Sequence, residues 1–115
     1  MNEIIEKTDW SDFLKNYSLR NKGRPTRLGV FEPSEGIMND YWIEDGLPLV
    51  AVDAYPYKGD INVEILFDKY THAIDGAAKL VSVGGEGKDQ GLEISDAQGK
   101  ITIMRFETWP LKSEG

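Results

Sequence analysis

The sequence predicts an α+β domain, an N-terminal amphipathic helix packed on a curved antiparallel sheet of about six or seven strands. Three observations predict it. Trp10, Phe13, Leu14 and Tyr17 recur at the i, i+3, i+4, i+7 spacing of one helical face. After Gly23 the apolar period changes from helical to strict alternation and stays there. The alternating runs follow one another through short turns, which favours antiparallel pairing.

The helix is expected from about Asp9 to Arg20. Thr8 is a plausible N-cap, Asp9 and Asp12 place negative charge in the first turn, and Gly23 supplies the stop. Thr26 to Phe31 reads as a strand closed by Pro33 and Gly36. A weaker run, Ile37 to Ile43, ends at Asp45-Gly46, a dipeptide typical of tight hairpins, and Leu47 to Ala54 follows. Tyr55 to Asp60 is a turn-rich connection, and Ile61 to Phe67 is the plainest strand. Asp68-Lys69 turns into Tyr70 to Ile74, Asp75-Gly76 breaks the run, and Leu80 to Val83 resumes it. Gly84 to Gly91, with four glycines, reads as an exposed loop. The last hairpin turns through Asp96-Ala97-Gln98-Gly99. Pairing Ser95 with Lys100 would set Ile94 opposite Ile101 and Leu92 opposite Ile103 on one face.

A chain of 115 residues has length for one core, so a single domain over 1–115 is expected, with 1–7 and 107–115 flexible or peripheral. There is no cysteine, which excludes disulfides, thiolate metal sites and thiol nucleophiles and fits a reducing compartment. The first residues include Glu3 and Glu6 and only a short apolar pair, Ile4-Ile5, so no leader is read there. No apolar run approaches the ~20 residues of a membrane span. A cytoplasmic location without membrane partners is expected.

The formal net charge is −7, which repels phosphate backbones unless the cations gather. Arg20, Lys22, Arg24 and Arg27 do gather, with Lys15 before them and no acidic residue between. They form an anion-binding candidate. The commoner reading is that Lys15, Arg20 and Lys22 complement the helix dipole while Arg24 and Arg27 sit on a solvated strand.

Candidates for chemistry are few. His72 is the sole histidine, and alternation sets it on one side with Ile74 while Asp75 points to the other. A catalytic His72 would therefore need its orienting carboxylate from another strand, such as Asp53 or Glu64, and a nucleophile such as Ser82, Ser95 or Thr102. A strand histidine bonded near the core edge is the commoner arrangement. Without cysteine and with one histidine, a transition-metal site is not expected; Asp40, Glu44, Asp45 and Asp53 lack the spacing of a calcium loop. Gly84-Gly85-Glu86-Gly87-Lys88 lacks the Ser or Thr and the following helix of a phosphate loop. No cofactor is expected. Trp42, Tyr55, Tyr57 and Trp109 form a candidate interaction patch, and the acids near them disfavour a nucleic-acid platform.

The order Trp10-Ser11-Asp12-Phe13-Leu14, Ser18, Thr26 to Val30, Thr71 to Asp75, Leu92 to Asp96, Gly99 and Arg105-Phe106 resembles an uncharacterised family of short bacterial proteins, a domain of unknown function. The likeness spans roughly Trp10 to Phe106 and departs most over Glu32 to Asp60. It implies a bacterial cytoplasmic protein and brings no catalytic residues. The expected function is a non-enzymatic binding or protein-interaction module, with self-association as a homodimer one form of it. The alternative is a small hydrolase-like enzyme using His72 with a carboxylate from a neighbouring strand.

Overall fold

Eight strands and one α-helix follow from this pattern in the computed structural model. It describes residues 2–34, 37–85 and 88–107, and of 33–34, 37–45 and 85 the backbone alone. In chain order these are β1 (Asn2–Ile5), α1 (Trp10–Asn21), β2 (Pro25–Ser34), β3 (Ile37–Tyr57), β4 (Asp60–Phe67), β5 (Tyr70–Ile74), β6 (Ala77–Gly85), β7 (Lys88–Asp96) and β8 (Ile101–Phe106). They form one open antiparallel sheet in the order β1-β6-β7-β8-β2-β3-β4-β5.

That order forces a strong curl. β5 is one edge of the sheet and β6 lies next to the other, yet only Asp75-Gly76 joins them. A two-residue link spans a few ångströms, so the far ends of the sheet must approach each other. Asn62, buried on β4, fixes the link: its Nδ2 donates to Asp75 Oδ1 and its Oδ1 accepts from Gly76 N, both at 3.0 Å.

Helix α1 closes the concave side. Trp10, Leu14 and Tyr17 are buried against Leu28, Leu49, Val52, Ile65, Leu92, Ile94 and Met104, as the helical stripe predicts. The Trp10 indole donates to the Ile5 carbonyl at 2.8 Å, which ties β1 to the helix. A 3-10 turn over Lys7–Asp9 precedes α1, so Asp9 rather than Thr8 is the cap residue, and it makes no side-chain capping bond. Among the described residues no helix is long and apolar enough to cross a membrane.

The count of eight corrects the expectation of six or seven. The added strand is β1, whose Asn2, Glu3 and Ile4 are exposed and carry no alternation to detect. A second correction concerns Asp45-Gly46, which makes no hairpin. β3 runs 21 residues straight through it. Thr26 pairs with Leu47 and Leu28 with Glu44, so Asp45-Gly46 sits in a β-bulge, where Gly46 takes φ 81°. The tight turn comes later, at Lys58-Gly59, where φ of 52° and 86° suits a two-residue hairpin.

The last hairpin is shifted by one residue from its expected register. Ser95 pairs with Ile101, Ile94 with Thr102 and Leu92 with Met104. Asp96 N donates to Lys100 O at 2.9 Å, so Lys100 pairs with Asp96 and the loop shrinks to Ala97-Gln98-Gly99, with Gly99 at φ 93°. The shift puts Thr102, Met104 and Phe106 into the core and leaves Ile101 and Ile103 half-buried outside. The glycine segment is likewise strand rather than loop up to Gly85 and again from Lys88. Glycine is needed there by close approach: a Cβ on Gly91 would strike the Met104 carbonyl oxygen.

Candidate functional site

His72 stands on β5 with Tyr70 and Ile74 on its side of the strand, while Thr71 and Ala73 are exposed on the other. The curl brings this inner side towards β8. The ring therefore crosses the interior to Thr102, whose Oγ1 lies 3.5 Å from Nε2, and the Tyr70 hydroxyl lies 3.4 Å from Nδ1. Both are long contacts, and both partners are hydroxyls. Burial pushes the imidazole below its ordinary value, and the Lys100 charge pushes it the same way. The ring is neutral at physiological pH, offering one donor and one acceptor.

It opens into a cleft of about 470 Å³ between the Asp75-Gly76 link and the β7–β8 hairpin. Asp60, Asp75, Asp96, Lys100 and Thr102 line the cleft with it. Two of the carboxylates have structural duties as well. Asp75 Oδ1 accepts from Asn62, and Asp96 Oδ1 accepts from the backbone of Gln98 and Lys100 at 2.9 and 3.0 Å. Among the described residues the second oxygen of each makes no further hydrogen bond. Among the described residues no three of His, Asp and Glu come together as a metal site would need.

The orienting carboxylates named from sequence stand elsewhere. Glu64 pairs across from Ala73 on the outer face and accepts from the Tyr55 hydroxyl at 3.0 Å; this bond raises the Tyr55 phenol. Asp53 is exposed and pairs across from Glu64. Thr102 does meet His72, whereas Ser82 and Ser95 do not line its cleft. Sequence reasoning missed Asp60, Asp96 and Lys100, which reach the cleft only through the curl and the shifted hairpin.

The cationic stretch is drawn into the structure. Arg20 Nε donates to Asp89 Oδ2 at 2.9 Å, and Asn21 Nδ2 donates to the same oxygen at 2.9 Å. Arg24 donates to Asn21 Oδ1 and to the Asp89 carbonyl, with its guanidinium 4.0 Å from the Phe106 ring centroid. Burial works against the charge on Asp89, but hydrogen bonds from Arg20 and Asn21, with the charges of Arg20 and Arg24, hold the carboxyl below its usual range. Lys22 is exposed and Arg27 half-buried. Of the aromatic patch, Tyr57 is exposed and Tyr55 half-buried, while the Trp42 side chain and Trp109 lie outside the described residues.

No family model, no curated protein and no solved structure matches the chain, so the resemblance to the bacterial family rests on its residue pattern alone.

Proposed function

We propose that the chain is a non-enzymatic binding module whose ligand sits in the cleft beside His72. The observation that carries this reading is the setting of the ring: both nitrogens face hydroxyls, and among the described residues no carboxylate bonds it as the orienting group of a general base would. A half-buried neutral imidazole in a concave site is suited to recognition. Lys100 adds a donor, and the second oxygens of Asp75 and Asp96 add acceptors. The mixture suits a small polar molecule that both donates and accepts. With this reading go a bacterial cytoplasmic setting and, for any macromolecular partner, a protein or second copy rather than nucleic acid, as the net charge of −7 favours.

The test is thermal melting against inorganic phosphate, magnesium, nucleotides, amino acids and small amines. A ligand at ~100 times its dissociation constant stabilises the folded state by about 2.7 kcal/mol and raises Tm by several degrees. The reading expects at least one such shift, lost in His72→Ala, with the ligand recovered unchanged. A shift that persists in His72→Ala places the ligand elsewhere and contradicts it.

The contact between Thr102 Oγ1 and His72 Nε2 favours a second reading, a small hydrolase with threonine as nucleophile. That reading requires turnover of an ester panel which both His72→Ala and Thr102→Val abolish. Turnover surviving Thr102→Val counts against it, as does its absence.

A further inference from the structure

A second surface, which shares no lining residue with the cleft, has the features of a peptide groove. β3 pairs with β2 only as far as Pro48; beyond it the strand continues to Tyr57 with β4 on one side and α1 on the other. The helix takes the place of a neighbouring strand there. Gly23 N donates to the Leu49 carbonyl, and Leu49 N donates to the Arg24 carbonyl. Ser18 then serves Val52 twice: its hydroxyl accepts from Val52 N at 2.8 Å and donates to Val52 O at 3.1 Å.

Alternation carries this edge further than the helix covers it. Since Val52 turns its N–H and C=O towards α1, Ala54 two residues on turns its own the same way, as does the Pro56 carbonyl. Towards its N-terminus α1 stands away from β3. A gap of about 310 Å³ opens there between Lys7, Trp10 and Ser11 on one side and Ala54, Pro56 and Ile61 on the other. Among the described residues no hydrogen bond joins the Ala54 backbone to α1 or β2. At Ser11 the gap meets a longer groove of about 490 Å³, between the outward side of α1 and the outer face of β3. Leu19, 73% exposed, and Val50, 37% exposed, are among the most exposed large apolar side chains, and both line it.

Charge selects the occupant. The two grooves are lined by Lys7, Lys15 and Lys22 against Asp53 alone, in a chain whose net charge is −7. A second copy is also acidic overall, but it brings its own groove with the same three lysines. An extended segment brings an unpaired backbone for Ala54, apolar side chains for Leu19 and Val50, and carboxylates for the lysines. We propose that the groove between α1 and the free edge of β3 docks an extended acidic segment of a partner protein, by short strand addition at Ala54. Ser18 marks where the helix takes over the edge, so the added strand is short and the lysines supply much of the selectivity.

The experiment uses the full chain and a fluorescent eight-residue peptide alternating glutamate and valine, with its lysine–valine counterpart as control. Saturable binding of the acidic peptide is expected, weakened about tenfold in the double variant Lys15→Glu/Lys22→Glu, whose two sites are exposed. Hydrogen exchange at the Ala54 amide is expected to slow when the peptide is bound. No saturable binding overturns the proposal, as does equal binding of both peptides or an unchanged Ala54 amide. A single-stranded oligonucleotide that competes for the groove, or a dimer that the double variant dissociates, overturns it in favour of nucleic acid or a second copy. Melting of the double variant at the wild-type temperature separates lost binding from lost fold.

Discussion

His72 could be singled out from the sequence because it is the only histidine, but its partners could not. Thr102 is 30 positions away, and the two meet only because the sheet curls. The same holds for Asp89, 69 positions from Arg20. Local spacing reveals faces, not the contacts between distant faces. The neutral state of His72 predicts a pH effect of definite sign. Its folded value is lowered, so the unfolded chain binds the proton first as pH falls. Stability from this group is complete above its unfolded value, about 6.5, and is lost as pH falls from there towards the folded value. Urea midpoints between about pH 8 and 5 should therefore drop more for wild type than for His72→Gln. Equal drops would show that the ring titrates alike folded and unfolded. Tyr17 predicts the opposite kind of substitution effect. Its buried hydroxyl has no hydrogen-bond partner among the described residues, and burial raises the phenol further than the nearby Asp89 charge does. Tyr17→Phe removes an unsatisfied group and keeps the ring on Phe13 and Phe106. A gain of about 1 kcal/mol in urea unfolding is expected, and a loss of that size would reveal a partner for the hydroxyl.

At the scale of elements, helix α1 and the plain strand β4 were legible because each shows one clean period. The hairpin β7–β8 was legible as a hairpin and misread by one residue. Apolar residues stand on both faces of β8, so periodicity gave no reason to prefer Met104 over Ile103 as the partner of Leu92. Loop chemistry decides it, through Asp96 and the positive φ of Gly99. Gly99→Ala should cost about 1 kcal/mol, from backbone strain alone. Gly91→Ala should cost more, about 3 kcal/mol, since its Cβ would strike the Met104 carbonyl and push β7 from β8. Thermal or urea unfolding of the two variants measures the difference, and equal costs would mean that β7 and β8 are less closely apposed at Gly91. β3 was split in two by reading Asp45-Gly46 as a turn. An Asp-Gly pair serves a bulge as well as a hairpin, and only the pairing with β2 distinguishes them.

At the scale of the molecule, the two-layer class was legible and the curl was not dictated by any one segment. It follows from the strand order together with the two-residue link between β5 and β6. The network around Asp89 fastens this curled sheet to the end of α1. Asp89→Ala should cost about 1–3 kcal/mol by removing the carboxylate that the buried Asn21 amide and the Arg20 guanidinium both bond, and urea unfolding measures it. Because the Asp89 carboxyl is held low, its contribution is present above about pH 4 and lost as pH falls below, so the variant should match wild type more closely in acid. On the proposed function, the curl makes a recognition cleft around one neutral imidazole. Imidazole resonances of this single histidine, followed by NMR as inorganic phosphate, magnesium, nucleotides, amino acids and amines are added, decide whether it does. The claim predicts a saturable shift of the ring signals with at least one class, the added molecule remaining intact. Ring signals that no class moves, or a molecule consumed as they move, would contradict it.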